Sequence, residues 1–154
     1  DHCPFCMKEG HLGFRHQKAA GKADFSKIPN GAPGIETRLT SMYDLAVTRN
    51  RLSLNRLVEL TASNPAKLFG LYPKKGTVAV GSDADIVLFD PNARQTIRAD
   101  RLHGNCDYTL LEGRSIQGKV EKVFLRGQMI VDGERWLGRP GMGQFVRRGE
   151  PRLF

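Results

Sequence analysis

The pattern of the sequence changes from helix to strand within residues 64–91, which read NPAKLFGLYPKKGTVAVGSDADIVLFDP. Asn64, Pro65 and Gly70 stand in the order of helix cap, first-turn proline and terminating glycine, so they predict a short helix that Gly70 ends. Beyond Tyr72-Pro73 the chain consists of short β-branched or apolar runs, of which Asp85–Phe89 is the clearest. The stretch therefore predicts a helical part before it and a β-rich part after it.

Two further helices are predicted on the amino-terminal side. The first follows Glu36 and stops near Asn50, and the second begins at Ser53, a natural N-cap. The apolar residues at helical spacing are Leu39, Met42, Tyr43 and Ala46 in the first helix and Leu54, Leu57, Val58 and Ala62 in the second. Before Glu36 the chain is rich in Gly and Pro and has no sustained period, which predicts a long loop, usually a functional feature.

The β-rich part is predicted to contain five short strands and two hairpin turns. The predicted strands are Thr77–Val80, Asp85–Phe89, Thr96–Ala99, Val120–Leu125 and Gln128–Val131. Arg126-Gly127 and Asp132-Gly133 have the composition of hairpin turns. The last residues, 138–154, are rich in Gly, Pro and Arg and predict a tail without a core of its own.

Composition narrows the class of protein. The chain has 154 residues, of which 40% are hydrophobic, and a net charge of +8. Apolar runs such as Ile86–Phe89 are far shorter than the ~20 residues that a transmembrane helix needs, so we expect no membrane association. The polar start does not resemble a signal peptide, and three cysteines, an odd number, favour a reducing, cytoplasmic location. The positive charge is spread along the chain, which favours a solvated surface over a nucleic-acid partner.

Two clusters could bind a cation. Cys3, Cys6, His11 and His16 have the ligand types and approximate rhythm of a zinc knuckle, which leaves open a non-catalytic, nucleic-acid-binding module. The alternative is that the two cysteines are small buried residues and the two histidines lie in a solvated loop. Asp83 and Asp85 also form a carboxylate pair, although such pairs more often belong to turns.

Several separated motifs together resemble one enzyme family. They are Asp1–Phe5, Gln17-Lys18, Asp24-Phe25, Ile28–Gly31, Glu36–Leu39, Asn64–Gly76, Val80–Pro91 and Gly138–Gln144. These motifs resemble dihydropyrimidinases and D-hydantoinases, the cyclic amidase branch of the amidohydrolases. The resemblance implies an α/β fold: residues 1–72 form the end of a distorted (β/α)8 barrel, residues 73–137 form strands of a small β-sandwich, and residues 138–154 form a tail able to contact another subunit.

The resemblance also implies a chemistry. Enzymes of this family hydrolyse dihydropyrimidines and hydantoins with two metal ions, usually zinc. Asp1 corresponds to the carboxylate at the end of the last barrel strand, where barrel enzymes place catalytic groups. It would touch one metal, accept the proton of the bridging hydroxide and pass it to the leaving amide nitrogen. Asn30 corresponds to the position whose main chain binds the ring amide of the substrate, although Pro-Asn-Gly is also a generic turn.

The remaining metal ligands of the family have no counterpart in this sequence. A His-x-His pair, a carboxylated lysine and two further histidines are missing, and none of His2, His11, His16 and His103 matches those motifs. We therefore expect a carboxy-terminal part of the enzyme that is inactive by itself. The expected partners are a small cyclic amide or imide substrate and further copies of the chain, as a tetramer or dimer. The non-enzymatic neuronal relatives of dihydropyrimidinase lack the aspartate and differ at the asparagine, whereas both residues are present here.

Overall fold

The computed structural model describes residues 2–8 and 17–152, which combine short helices with one antiparallel sheet. Two 3-10 turns, Lys18–Gly21 and Phe25–Lys27, precede helix α1, Arg38–Met42, which continues as a π-helical turn over Tyr43–Val47. No helix among the described residues is long and apolar enough to span a membrane.

A second helical run has three parts. Helix α2, Leu54–Val58, continues through the π-helical turn Glu59–Ser63 into helix α3, Asn64–Leu68. The Ser53 side chain accepts a hydrogen bond from the Arg56 amide at 3.1 Å, which confirms the predicted N-cap. Gly70, with φ of +67°, ends the run as predicted, because glycine adopts this left-handed conformation without a steric penalty.

Within the described part of the chain, four strands form one sheet in the order β1-β2-β3-β4. They are β1, Ile86–Thr96, β2, Ser115–Leu125, β3, Gln128–Asp132, and β4, Arg135–Trp136. The turn at Arg126-Gly127 has φ angles of +46° and +78°, the signs that a two-residue hairpin turn requires, and it pairs Leu125 with Gln128. The first predicted turn is confirmed. Strand β3 also pairs with β4, but Asp132 is paired with Arg135, so the second turn consists of Gly133 and Glu134, one residue later than predicted.

Two of the predicted strands are wrong. Residues 77–80 form no strand, and Val78 and Val80 are largely exposed, so their β-branched side chains have neither a pairing partner nor a core to cover. The segment Thr96–Ala99 is the end of β1 followed by a 3-10 turn, Ala99–Arg101. The Ala99 amide donates to the Glu112 carboxylate at 2.7 Å and is thereby unavailable for strand pairing.

Strand β1 is longer than predicted and runs through Pro91. Proline has no amide hydrogen and is tolerated where a strand has an unpaired edge. Because β1 is the terminal strand of the sheet order, Pro91 can lie within it without leaving a neighbouring carbonyl unpaired. Its own carbonyl accepts hydrogen bonds from the Tyr43 hydroxyl at 3.3 Å and the Gln117 side-chain amide at 2.9 Å.

The described residues divide into two compact units. The first contains the residues up to Arg38 together with Arg94–Ile116, and its buried apolar residues are Cys6, Ile97 and Ile116. The second contains Leu39–Ala93 and the residues from Gln117 onward, and its buried apolar residues are Tyr43, Ala46, Leu57 and Ala66. The domain boundaries after residues 72 and 137 stay a prediction.

Part of the carboxy-terminal tail follows the end of helix α3 within the second unit. The Gly149 amide donates to the Gly70 carbonyl at 2.7 Å, and the Arg152 amide donates to the Lys67 carbonyl at 3.0 Å. The Lys67 carbonyl also accepts from the Gly70 amide at 3.1 Å, so the tail adds a second bond there. The tail is therefore hydrogen-bonded to the end of helix α3 and to the glycine that follows it.

Candidate functional site

The first described residues pair with a loop about thirty positions away. His2 forms a parallel bridge with Ala32, and the Cys3 amide donates to the Ala32 carbonyl at 3.3 Å. The imidazole Nδ1 of His2 accepts from the Gly34 amide at 3.2 Å. This pairing fixes the segment that directly follows Asp1 in the sequence against residues 31–34.

The turn at Pro29-Asn30-Gly31 is held from inside the same unit. The Lys18 ammonium donates to the carbonyls of Pro29 at 3.2 Å and Gly31 at 2.9 Å. Gly31 has φ of +104°, and a Cβ atom there would collide with the Cβ of Cys3. Only glycine therefore fits at this position, and the turn leaves Asn30 exposed next to it.

An imidazole–carboxylate pair joins two distant parts of the first unit. The Nδ1 of His103 lies 2.7 Å from the Glu36 carboxylate, whose other oxygen accepts from the His103 amide at 2.8 Å. Sequence reasoning missed this pair, because the two residues are 67 positions apart and belong to no spaced motif. Its two hydrogen bonds anchor the 102–104 loop to the start of the helical region.

A third cluster contains two thiols and a carboxylate. The ligand atoms of Cys6, Cys106 and Asp107 lie within 4.8 Å of one another. Burial raises the pKa of the Cys6 thiol, although a backbone hydrogen bond at Asp107 opposes part of this rise. Burial likewise raises the pKa of Tyr108. The cluster is thus a partly enclosed site that contains two thiols and one carboxylate.

The residues predicted for the active site have different outcomes. Asp1 and the two histidines of the knuckle hypothesis, His11 and His16, lie outside the described residues. Asn30 is described and lies exposed beside Gly31, and its predicted contact with substrate stays a prediction. Cys6 is grouped with Cys106 and Asp107, and Cys3 is not part of that group. Nothing in the described part of the chain supports the knuckle.

The carboxylates of Asp83 and Asp85 share a side-chain cation. The Lys75 ammonium lies 2.9 Å from Asp83 and also contacts Asp85, whose other oxygen accepts from the Arg126 amide at 2.8 Å. Burial alone would raise the pKa of Asp85, but these hydrogen bonds outweigh it and hold the pKa below its ordinary value of 3.8. A cation of the protein itself, Lys75, therefore already occupies the position between the two carboxylates and balances one of their two charges.

The sequence profile of the amidohydrolase family matches residues 11–130, well over half of the chain. The chain belongs to the amidohydrolase family. It is 47% identical to the D-hydantoinase of Streptomyces coelicolor and 49% identical to that of Rhizobium radiobacter, in each case over 96% of this chain. It spans only 30% and 31% of those two proteins, respectively.

A solved structure shows that the similarity extends to the fold of this amidohydrolase chain. The crystal structure of dihydropyrimidinase from Brevibacillus agri matches 99% of the chain with a TM-score of 0.91 and 44% sequence identity. The match covers 32% of the Brevibacillus chain. This confirms the predicted family resemblance and an arrangement of mixed helix and sheet.

The metal centre implied by the family is not formed by the described residues. Among residues 2–8 and 17–152, the group of three metal-binding side chains is Cys6, Cys106 and Asp107. Two of its three donors are thiols, whereas the resemblance implies a centre of histidines, a carboxylated lysine and an aspartate. The donor set does not fit a pair of zinc ions bound in that way, so this cluster is distinct from the family's centre.

Proposed function

We propose that the chain is the carboxy-terminal part of a cyclic amidase that hydrolyses the ring amide of dihydropyrimidines or hydantoins. The observation that carries this proposal is the match of nearly the whole chain, at 44% identity, to about a third of a protein named dihydropyrimidinase. The relatives named D-hydantoinase support the same substrate class. Residues 1–72 would complete a (β/α)8 barrel, and the later strands would belong to a β-sandwich.

In this proposal Asp1 is the general base. Its carboxylate would take a proton from the attacking water and deliver it to the amide nitrogen, which leaves as the ring opens. The two metal ions of the family would be bound by Asp1 and by residues outside this chain. The geometry that supports the proposal is the pairing of His2 and Cys3, which follow Asp1, with Ala32 beside the predicted substrate-binding turn.

Asn30 would bind the substrate through its main chain. A ring amide presents one N–H donor and one carbonyl acceptor, which match the two polar groups of a peptide backbone. The turn at residues 29–31 is suited to this because Lys18 fixes the carbonyls on both sides of Asn30 while Asn30 itself stays exposed. Backbone recognition of this kind would orient the ring without selecting its substituent.

Assembly and location are also part of the proposal. We propose a homo-oligomer, a tetramer or a dimer, in which residues 138–154 contact a neighbouring subunit. All three cysteines are free thiols in the structure, which suits a cytoplasmic protein. Light scattering of the complete enzyme would measure the oligomeric state, and a monomer that stays active on dilution would contradict the proposed assembly.

A chimaera tests the function directly. The chain would replace the matching 30% of the Streptomyces coelicolor D-hydantoinase, and release of the ring-opened product from dihydrouracil and from hydantoin would be measured. We expect the chimaera to hydrolyse at least one of the two compounds and the 154-residue chain alone to hydrolyse neither, even with added zinc. A chimaera that folds cooperatively and binds metal but has no turnover would contradict the proposal.

A further inference from the structure

We propose that Cys6, Cys106 and Asp107 form a second kind of metal site in this protein, a mononuclear site for zinc or another thiophilic divalent cation. It is separate from the pair of metal ions implied for amide hydrolysis. Its three ligand atoms lie within 4.8 Å of one another. Its role would be to fasten the segment containing residues 2–8 to the loop containing residues 104–107.

The backbone on both sides already brings the two thiols together. The Cys6 thiol is directed at the Asn105 carbonyl, 3.5 Å away, and the Cys106 thiol is directed at the Phe5 carbonyl, 4.0 Å away. Each cysteine thus faces the main chain next to the other cysteine. The segment containing Cys6 and the loop containing Cys106 therefore lie next to each other at this point.

The carboxylate of Asp107 is held in place by two backbone amides. One oxygen accepts from the Met7 amide and the other from the Lys8 amide, each at 2.8 Å. A carboxylate oxygen has two lone-pair sites, so an oxygen that accepts one amide hydrogen bond can still bind a cation. Amide hydrogen bonds to a ligating carboxylate also orient it, as the outer shell of a metal site usually does.

The spacing fits a metal ion better than a disulfide. Two thiolates bound at ~2.3 Å to a tetrahedral zinc ion lie about 3.8 Å apart, so a group of atoms within 4.8 Å of one another needs a small contraction. A disulfide would require the two sulfur atoms to approach to ~2.05 Å and would make no use of the carboxylate. Two thiolates and one carboxylate provide three protein ligands, and the exposed side of Cys106 leaves a fourth position for water.

The charges of the ligands also suit a cation at this place. Cys6 is only 2% exposed, and the Asp107 carboxylate lies within 4.8 Å of its thiol. Binding of a divalent cation would release the two thiol protons to solvent and leave a site with two thiolates, one carboxylate and one metal ion. The charge of the cation would offset that of these three ligands.

Cadmium titration of the purified, reduced 154-residue chain tests this site. The ultraviolet charge-transfer absorption of a cadmium thiolate reports sulfur ligation, which the histidine and carboxylate ligands of the hydrolytic centre do not produce. We expect saturation at one cadmium per chain, with proton release. Cys106→Ser should reduce the absorption by about half and weaken binding by at least about tenfold, and Asp107→Asn should keep the absorption but weaken binding.

Cys3→Ser is the matched control, because Cys3 is close in sequence to Cys6 and is not part of the cluster. We expect the Cys3→Ser variant to bind cadmium like the parent chain. The proposal would be overturned if the Cys3→Ser and Cys106→Ser variants lost cadmium binding equally, or if the Cys106→Ser variant kept the full cadmium thiolate absorption. Absence of any cadmium thiolate signal in the parent chain would also overturn it.

A measurement on the parent chain tests the site without any substitution, so its result does not depend on whether a variant folds. Zinc should slow alkylation of Cys106 by iodoacetamide at least about tenfold while leaving Cys3 unaffected, as measured by peptide mass analysis. Equal protection of all three cysteines, or protection of none, would contradict the site. A Cys6–Cys106 disulfide that is already present in the purified chain, persists in reductant and excludes zinc would likewise overturn the metal site. None of these results depends on amidase activity.

Discussion

The helical run from Leu54 to Leu68 and the segment of residues 2–8 are stabilised by different kinds of contact. In the helical run, the Arg56 amide donates to the Ser53 side chain three positions away, and the Thr61 hydroxyl donates to the Leu57 carbonyl four positions away at 2.8 Å. In segment 2–8, by contrast, the bond from the Gly34 amide to His2 joins residues 32 positions apart, and the bond from the Met7 amide to Asp107 joins residues 100 positions apart. Local sequence therefore specifies the first region, whereas the second exists only when distant loops are in place.

The two regions are therefore expected to have different roles, the helical run in stability and segment 2–8 in chemistry. The helical run contains a core residue, Leu57, that is 2% exposed, and in the proposed enzyme it carries no reacting group. Segment 2–8 follows the proposed general base and contains Cys6 of the proposed thiolate site. We therefore expect substitutions in the helical run to act mainly on folding and substitutions around segment 2–8 to act mainly on catalysis or metal binding.

The largest effect is expected for Asp1→Asn in the chimaera. Asparagine has nearly the size of aspartate but cannot accept the proton, so turnover should fall ~10²–10⁴-fold, the usual contribution of a general base. Turnover of dihydrouracil and bound metal are the two measurements. Asp100→Asn, which removes an exposed carboxylate paired with Arg98, is the control and should leave turnover near that of the parent. Near-parental turnover for Asp1→Asn would mean that this region does not carry the chemistry.

The next effect concerns the helical run. Leu57→Ala removes a fully buried side chain and leaves a cavity, so the free energy of unfolding should fall by about 2–5 kcal/mol. Urea denaturation followed by circular dichroism measures it. The control is Leu54→Ala on the same helix, where the side chain is 50% exposed and the expected loss is below about 1 kcal/mol. Equal losses would show that the core of this region lies elsewhere.

A smaller and more local effect is expected at the turn beside segment 2–8. Gly31→Ala would force a Cβ into Cys3 at a φ of +104°, at a cost of about 1–3 kcal/mol. Hydrogen exchange of the Cys3 amide, which donates to the Ala32 carbonyl, should become faster by the corresponding factor. Gly34→Ala meets no atom within 4 Å and should leave this exchange rate unchanged. Identical behaviour of the two variants would mean that the pairing does not depend on the close approach.

The smallest effect is a pH dependence in the second unit. The pKa of Asp85 is lowered in the folded state, so its stabilising contribution is complete above its unfolded value and is lost as the pH falls through the folded value. Asp85→Asn should therefore reduce the free energy of unfolding by about 1–2 kcal/mol at pH 7, and the difference from the parent should shrink below about pH 4. Urea denaturation at several pH values measures this, and a difference that does not depend on pH would contradict it.

Much of the local structure could be predicted because its causes are local. Ser53 caps its helix, Gly70 ends the next one, and Arg126-Gly127 forms the turn between β2 and β3. The wrong strands show the limit of this reasoning. Val78 and Val80 have a high propensity for strands, yet they are exposed and belong to no strand. A strand forms only where a neighbouring strand can pair with it, and the propensity of a residue does not provide that neighbour.

The candidate sites divide in the same way. Asp1 and Asn30 could be proposed because several motifs along the chain resemble one family, and the family assignment is confirmed. The Glu36–His103 pair and the Cys6–Cys106–Asp107 cluster could not be predicted, because Glu36 is 67 positions from His103, Cys6 is about 100 positions from Cys106 and Asp107, and no spacing rule connects them. A search for pairs of residues with metal-binding side chains would find too many combinations to select these.

The sequence by itself determined the amidohydrolase family, the helix caps and the hairpin turn at Arg126-Gly127. The caps and the turn depend on residue types within a few positions of one another, and the family can be identified from several short sequence motifs. The tertiary structure alone decided that Cys6 meets Cys106 rather than Cys3, that Lys75 occupies the space between Asp83 and Asp85, and that β1 continues through Pro91. Those outcomes depend on which distant backbone segments come together and on which edge of the sheet is left unpaired. The packing of the folded chain decides these two features, and the local preferences of the residues do not.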